Sequence, residues 1–179
     1  MLPPKKTAIN YLQEAGIQTV GVGKIGDIFA GSGFDRTIPS HGNPACTQET
    51  YKQMKECKNS LIFTNLVDFD MLYGHRRDPR GYYNCLKEFD DTLPKYYELM
   101  GEEDLLMICA DHGNDPTYKG TDHTREYSPL LAYTPKMSYG VNLGTRKTFS
   151  DIGKTTLDYF NVQGDIPGES FLNILRGNS

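Results

Sequence analysis

The sequence predicts an α/β domain whose largely parallel sheet is covered by helices on both sides. Two observations predict it. Helical periodicities and short apolar runs alternate along the chain, as they do in strand–helix–strand units. Two of the runs, 61–67 and 104–110, are mostly apolar without alternation, as strands buried on both faces are. A length of 179 residues accommodates one ordinary domain with a real core.

The elements follow in order. After Pro3 and Pro4, the residues Ala8, Tyr11, Leu12 and Ala15 share one helical face, and Gly16 is a stop. Residues 18–22 read as a short strand, and a glycine-rich stretch runs from Gly23 to Gly33. Residues 35–46, with Pro39, Gly42 and Pro44, read as irregular loop. Thr47 caps a helix that runs to about Lys58. The strand 61–67 follows. Beyond Pro79, a helical pattern passes through Tyr83, Leu86, Phe89, Leu93, Tyr96, Tyr97 and Met100, with Pro94 set to kink or split it. Residues 104–110 and 129–133 are further strands, Ser150 caps a helix over 151–160, and 171–175 form a terminal turn or helix.

Composition narrows the function classes. A formal net charge of -4 gives no electrostatic pull toward nucleic acid or an anionic membrane. No apolar run approaches the roughly 20 residues of a membrane helix, and the residues Met1 to Lys6 lack the apolar stretch of a secretory signal. Cys46, Cys57, Cys85 and Cys109 are widely spaced and include no Cys-x-x-Cys pair. That spacing argues against a disulfide framework or thiolate zinc site and for a reducing, cytoplasmic setting.

Three of the four histidines stand beside aspartates in short segments. Asp68 and Asp70 lead to His75 after one predicted strand, Asp111 and His112 follow another, and Asp122 and His123 lie just beyond. Ligands in such sheets bind past the carboxyl ends of the strands, so the first two clusters fall at one edge. Carboxylate and imidazole without thiolate suit Mn²⁺ or Zn²⁺, with Mg²⁺ or Fe²⁺ as alternatives. Two such ions suit phosphoryl transfer, because the pair clamps the attacking and leaving oxygens. Asp111 and His112 are adjacent, so the chain must turn there for both to ligate, and Gly113 permits that turn. Gly74 loosens the approach to His75. A single surface Asp or His is usually idle; it is the conjunction of three clusters that carries the reading.

Other features weigh less. Residues 21–26 match the Gly-x-Gly-x-x-Gly dinucleotide fingerprint. The fingerprint should open a helix, but glycine returns at 31 and 33 and no acidic strand end lies near 45. Lys24 in that loop is a candidate phosphate contact, with a solvated loop lysine as the plain alternative. Arg76, Arg77 and Arg80 favour structural pairing, with Asp78 and Glu126 as partners, over a phosphate-binding role. His41 in its Pro/Gly loop reads as ordinary.

The string 65–78 (NLVDFDMLYGHRRD), the segment 110–116 (ADHGNDP) and the segment 120–127 (GTDHTREY) resemble signature segments of the phosphopentomutase family. Residues 23–29 are similar to a further family segment. That family belongs to the alkaline phosphatase superfamily, with cofactor-independent phosphoglycerate mutase as a relative; Asp-His-Gly alone does not separate the members, whereas the long 65–78 string does. The resemblance implies a three-layer α/β sandwich, incomplete here, and a two-Mn²⁺ enzyme, with Zn²⁺ or Mg²⁺ as substitutes. The implied reaction interconverts ribose 1-phosphate and ribose 5-phosphate, and the deoxyribose pair. It implies Asp70, His75 and His123 as ligands of one metal, Asp111 and His112 as part of the other set, and Lys24 near the substrate phosphate. Asp68 and Asp122 match family positions without being direct ligands. Family members are about twice as long. Their amino-terminal strand carries another metal-binding aspartate and a nucleophilic threonine, and a cap domain follows. Residues 1–179 therefore resemble a single partial domain, the carboxyl-terminal part of the core. No catalytic threonine is expected in this chain; Thr7 falls in a helix and Thr19 in a strand. The expected partners are a small phosphorylated sugar and either an amino-terminal fragment or a second copy. The alternatives are a non-catalytic metal-binding fragment or another enzyme of the same superfamily.

Overall fold

The computed structural model describes residues 2–177. The first helix, α1 (Ala8–Glu14), is set by a capping box in which Thr7 and Asn10 satisfy each other's free groups, and Gly16 turns the chain out at φ +80°. Strand β1 (Gln18–Val22) follows. The one-turn helix α2 (Ile25–Ile28), strand β2 (Arg36–Ile38), helix α3 (Asn43–Glu56) and strand β3 (Ser60–Thr64) come next. The three strands form a parallel sheet in the order β2-β1-β3, with Gln18 opposite Ser60 and Val22 opposite Thr64.

β1 lies at the centre, and its two faces dictate the layers. Val20 and Val22 are fully buried and pack with Cys46 of α3, Ile38 and Ile62. On the opposite face, Leu12 of α1 and Leu157 of α6 (Ser150–Tyr159) pack together and against Leu61. Helix α5 (Leu93–Leu99) packs on α3, with the Tyr51 and Tyr96 rings 4.9 Å apart. The result is helix, sheet and helix, a parallel α/β arrangement as the sequence predicts.

The details differ in three places. Residues 35–46 are not loop throughout: they hold β2 and the start of α3. β2 is a short edge strand with a mostly exposed side-chain pattern, so no apolar run marks it. Pro44, taken as a loop signal, sits in the first turn of α3, where a missing N–H costs nothing, and Gly42, not Thr47, holds the N-cap. As Pro94 predicts, the helical pattern after Pro79 splits into α4 (Pro79–Asp90) and α5, with Pro94 in the first turn of the second. The helix near the carboxyl end begins at Ser150 itself, with Phe149 as N-cap.

The largest difference concerns the sheet. β4 (Leu106–Cys109) and β5 (Leu130–Tyr133) form a separate antiparallel pair, with Leu106 opposite Tyr133. A parallel return needs a crossover, usually a helix, whereas residues 110–129 contain none. Nor are these strands buried on both faces. β3 is half-buried along its length, and Leu131 and Tyr133 of β5 are exposed. Among the described residues, the outer edges of β3 and β4 have no strand partner. The second sheet is held by Tyr97 of α5 against Tyr133, ring centroids 4.8 Å apart, and by the Tyr159 hydroxyl of α6 on the Glu103 carbonyl. A last turn, α7 (Leu172–Leu175), packs beside α6. Among the described residues, no helix is long and apolar enough to cross a membrane.

Candidate metal centre

The chain leaves β3 at Thr64 and winds into a π-helix over Phe69–Gly74. A π-helix bonds residue i to i+5, and here the His75 amide donates to the Asp70 carbonyl at 3.0 Å. This wide turn stacks His75 over Asp70. The second contribution comes from the loop after β4, which an isolated bridge between Gly113 and Thr124 folds back on itself. That return brings His123 to the π-helix.

The donor atoms of Asp70, His75 and His123 all lie within 4.8 Å of one another. Asp70 Oδ2 is 3.2 Å from His75 Nε2, Asp70 Oδ1 is 3.3 Å from His123 Nε2, and the two imidazole nitrogens are 3.1 Å apart. Ligands at about 2.0–2.2 Å from a cation sit about 3.3 Å apart at a tetrahedral ion and about 3 Å apart at an octahedral one. The donor set therefore fits a divalent cation in spacing as well as chemistry. His75 Nδ1 lies against the Thr121 carbonyl. That carbonyl can only accept, so Nδ1 carries a proton, and Nε2 is the nitrogen left for a cation.

His112 lies flat on His123, ring centroids 3.6 Å apart and planes 20° apart. Asp111 Oδ1 is 3.6 Å from His112 Nε2, on an exposed side chain. The chain does turn after β4, so that both side chains reach the same side. They form a pair of donors beside the centre, and no third acidic, histidine or cysteine donor joins them among the described residues. Lys24, at the N-cap of α2, is exposed and points its Nζ at Met71 Sδ, 3.1 Å away. Asp68 serves the fold instead: its carboxylate accepts from the Asn43 amide at 2.7 Å, and its own amide donates to Asn43 Oδ1 at 3.1 Å. The fingerprint glycines lead only into the single turn of α2.

Both site glycines matter for closeness, not for turning. A Cβ on Gly74 would lie 2.2 Å from Asn114 Nδ2, and one on Gly113 would lie 2.6 Å from the Glu126 amide nitrogen. Neither has a positive φ, so the expected turn role of Gly113 is replaced by strand-like contact with 124–126. Arg77 has the structural role expected of it, but with other partners. Arg77 meets neither Asp78 nor Glu126. It binds Asn114 Oδ1 at 3.0 Å, the Asp115 carbonyl at 2.8 Å, and the carbonyls of Gly120 and Asp122. Asp78 caps α4 through the Gly81 amide at 2.9 Å. Thr117 hydrogen bonds hold the Asp115 carboxyl below its usual range, the nearby Arg77 charge adding a smaller pull.

Asn114 is the residue the sequence does not flag. Its Nδ2 donates to Asp70 Oδ1 at 2.5 Å. The only signal was its position two residues after the Asp-His pair.

The metalloenzyme superfamily model matches residues 2–164. Phosphopentomutase from Dictyoglomus turgidum is 51% identical over 173 residues, covering 96% of this chain and 44% of that protein. The phosphopentomutase from Lachnoclostridium phytofermentans is 53% identical over 170 residues, with 95% and 44% covered. That from Deinococcus radiodurans is 50% identical over 176 residues, with 98% and 45% covered. The chain thus spans less than half the length of these curated relatives. Among solved structures, the PH0037 protein from Pyrococcus horikoshii superposes with a TM-score of 0.63 at 15% identity, covering 88% of this chain and 53% of that one. That likeness concerns the fold alone.

Proposed function

Because the chain belongs to the metalloenzyme superfamily, we propose that it supplies the metal-binding core of a phosphopentomutase-type phosphoryl-transfer site. The observation that carries the reading is the meeting of Asp70, His75 and His123 from two distant segments, with donor spacings of 3.1–3.3 Å. The similarity to phosphopentomutases at about 50% identity supports the reaction class.

In this reading Asp70, His75 and His123 hold one divalent ion, Mn²⁺ first among Mn²⁺, Zn²⁺ and Mg²⁺, and Asp111 with His112 contributes to a second. Ions so held neutralise charge on a transferring phosphoryl group and fix its oxygens. Asp70 provides the negative charge that makes the triad selective for cations over anions. His75, oriented by Thr121, and His123, braced by the His112 ring, contribute neutral nitrogen. The Lys24 ammonium meets only a thioether and remains available to a substrate phosphate. The substrates are ribose 1-phosphate and ribose 5-phosphate, with the deoxyribose pair, in the cytoplasm.

The phosphoryl acceptor on the protein lies elsewhere in this reading. Thr7 is occupied capping α1, and Thr19 is fully buried with its hydroxyl on the Gly33 carbonyl. In this reading the part of the relatives' length that these 179 residues do not span provides it, and the 179 residues form one part of the catalytic unit. The purified chain should bind Mn²⁺ by calorimetry without converting ribose 1-phosphate to ribose 5-phosphate. Adding a polypeptide that covers the remaining length of a relative should restore turnover. Robust turnover by the chain alone would overturn the division of labour, and absence of Mn²⁺ binding would overturn the site.

A further inference from the structure

Arg77 occupies the turn between the π-helix and α4 at φ +52°, a left-handed conformation that disfavours any residue with a Cβ. Glycine would suit that backbone better, so the side chain is what the position supplies. All three of its guanidinium nitrogens donate, and every acceptor lies between residues 114 and 122. Nε donates to the Gly120 carbonyl, Nη1 to Asn114 Oδ1 and the Asp115 carbonyl, and Nη2 to the Asp122 carbonyl. That stretch joins His112 to His123.

Asn114 faces two ways. Its carbonyl oxygen accepts from Arg77 at 3.0 Å, and its amide nitrogen donates to Asp70 Oδ1 at 2.5 Å. The guanidinium only donates and the carboxylate only accepts, so the amide has one workable orientation. Asp70 is in turn kept from rotating, with Oδ2 toward His75 and Oδ1 toward His123. Gly74 leaves the space in which Asn114 sits.

We propose that Arg77 and Asn114 form a positioning relay that sets the Asp70 carboxylate and the 111–123 loop in cation-binding geometry before a cation arrives. The relay rests on the reading of Asp70, His75 and His123 as ligands. Partners that orient a ligand typically carry a 10–100-fold share of metal affinity. A lysine at 77 keeps the charge but not the fork that reaches four acceptors at once.

Mn²⁺ titration calorimetry on the wild-type chain, Arg77→Lys, Asn114→Ala and the double variant tests this, with Lys119→Ala as a control for losing a nearby surface charge. Circular dichroism establishes that each variant is folded, and Asn114→Ser replaces Asn114→Ala if the latter is not. Each single change should weaken Mn²⁺ binding about 10–100-fold, the double variant should be no weaker than the worse single, and Lys119→Ala should match wild type. Wild-type affinity in Arg77→Lys or Asn114→Ala would overturn the relay, even if the metal-free melting temperature fell. So would losses that multiply in the double variant, because independent effects multiply. A wild-type chain that binds no Mn²⁺ would overturn the parent reading and the relay together.

Discussion

Asp70→Asn removes the one anionic donor of the triad while keeping its size. The carboxylate stands 3.2 Å from one imidazole nitrogen and 3.3 Å from the other, so its replacement by an amide leaves no anionic donor in the triad to hold a divalent ion. A ligand present at 100 times its Kd stabilises the folded state by about 2.7 kcal/mol. For a chain of this size each kcal/mol moves the melting temperature by about 2–4 °C, so Mn²⁺ should raise it by about 5–11 °C. If the substitution weakens binding about 100-fold, the same Mn²⁺ concentration equals the new Kd and contributes only about 0.4 kcal/mol, roughly 1–2 °C. Thermal melts with and without MnCl₂, followed by a chelator, read both numbers directly. An undiminished Mn²⁺ shift in Asp70→Asn would mean that the ion binds elsewhere and would refute the assignment.

Gly74→Ala puts a methyl group 2.2 Å from Asn114 Nδ2; overpacking of this kind costs about 1–3 kcal/mol, so urea unfolding should show that loss and Mn²⁺ affinity should fall with it. Leu12→Ala, at a fully buried position between Ile17 and Leu157, should cost about 2–5 kcal/mol in the same assay while leaving Mn²⁺ binding intact. The Asp35 carboxyl is held below its usual value by the Thr19 amide and by Gln13. A group lowered in the folded state stabilises above its unfolded value and loses that contribution as pH falls through the folded one. Urea midpoints measured on either side of pH 3.8 should therefore drop more steeply in wild type than in Asp35→Asn. The Cys85 thiol, pushed up to about 11 mainly by burial, should resist alkylation at neutral pH until the chain is unfolded.

Much of the site was legible because its chemistry is local. Histidine is scarce in this chain, and its pairing with aspartate in short strings past strand ends singled out Asp70, His75 and His123, which the fold brings together; Asp111 and His112 were singled out in the same way. Burial was read less well. The run at 61–67 looked like a fully covered strand, yet β3 is half-buried, and among the described residues no strand pairs with its outer edge. The apolar pattern records what a strand is suited to meet, not what stands beside it. β5 was placed correctly, but its direction was not, since direction depends on the connection and 110–129 carries no helix. Asn114 and the actual partners of Arg77 were invisible for another reason. Their roles depend on contacts 37–45 positions apart in the chain, and neither residue type announces a partner at that distance. Pro44 misled because the same residue that breaks a helix also begins one.

The wide turn at Phe69–Gly74 ties cation affinity to backbone winding. In an ordinary helix each residue advances about 100°, so positions 70 and 75 would point about 140° apart and share nothing. Only the slacker coil sets the acid beneath the imidazole. Coils of this kind rarely persist alone, and a cation held by both side chains would oppose rewinding. An ordinary helix over the same residues would pull apart the pair on which the proposed site depends.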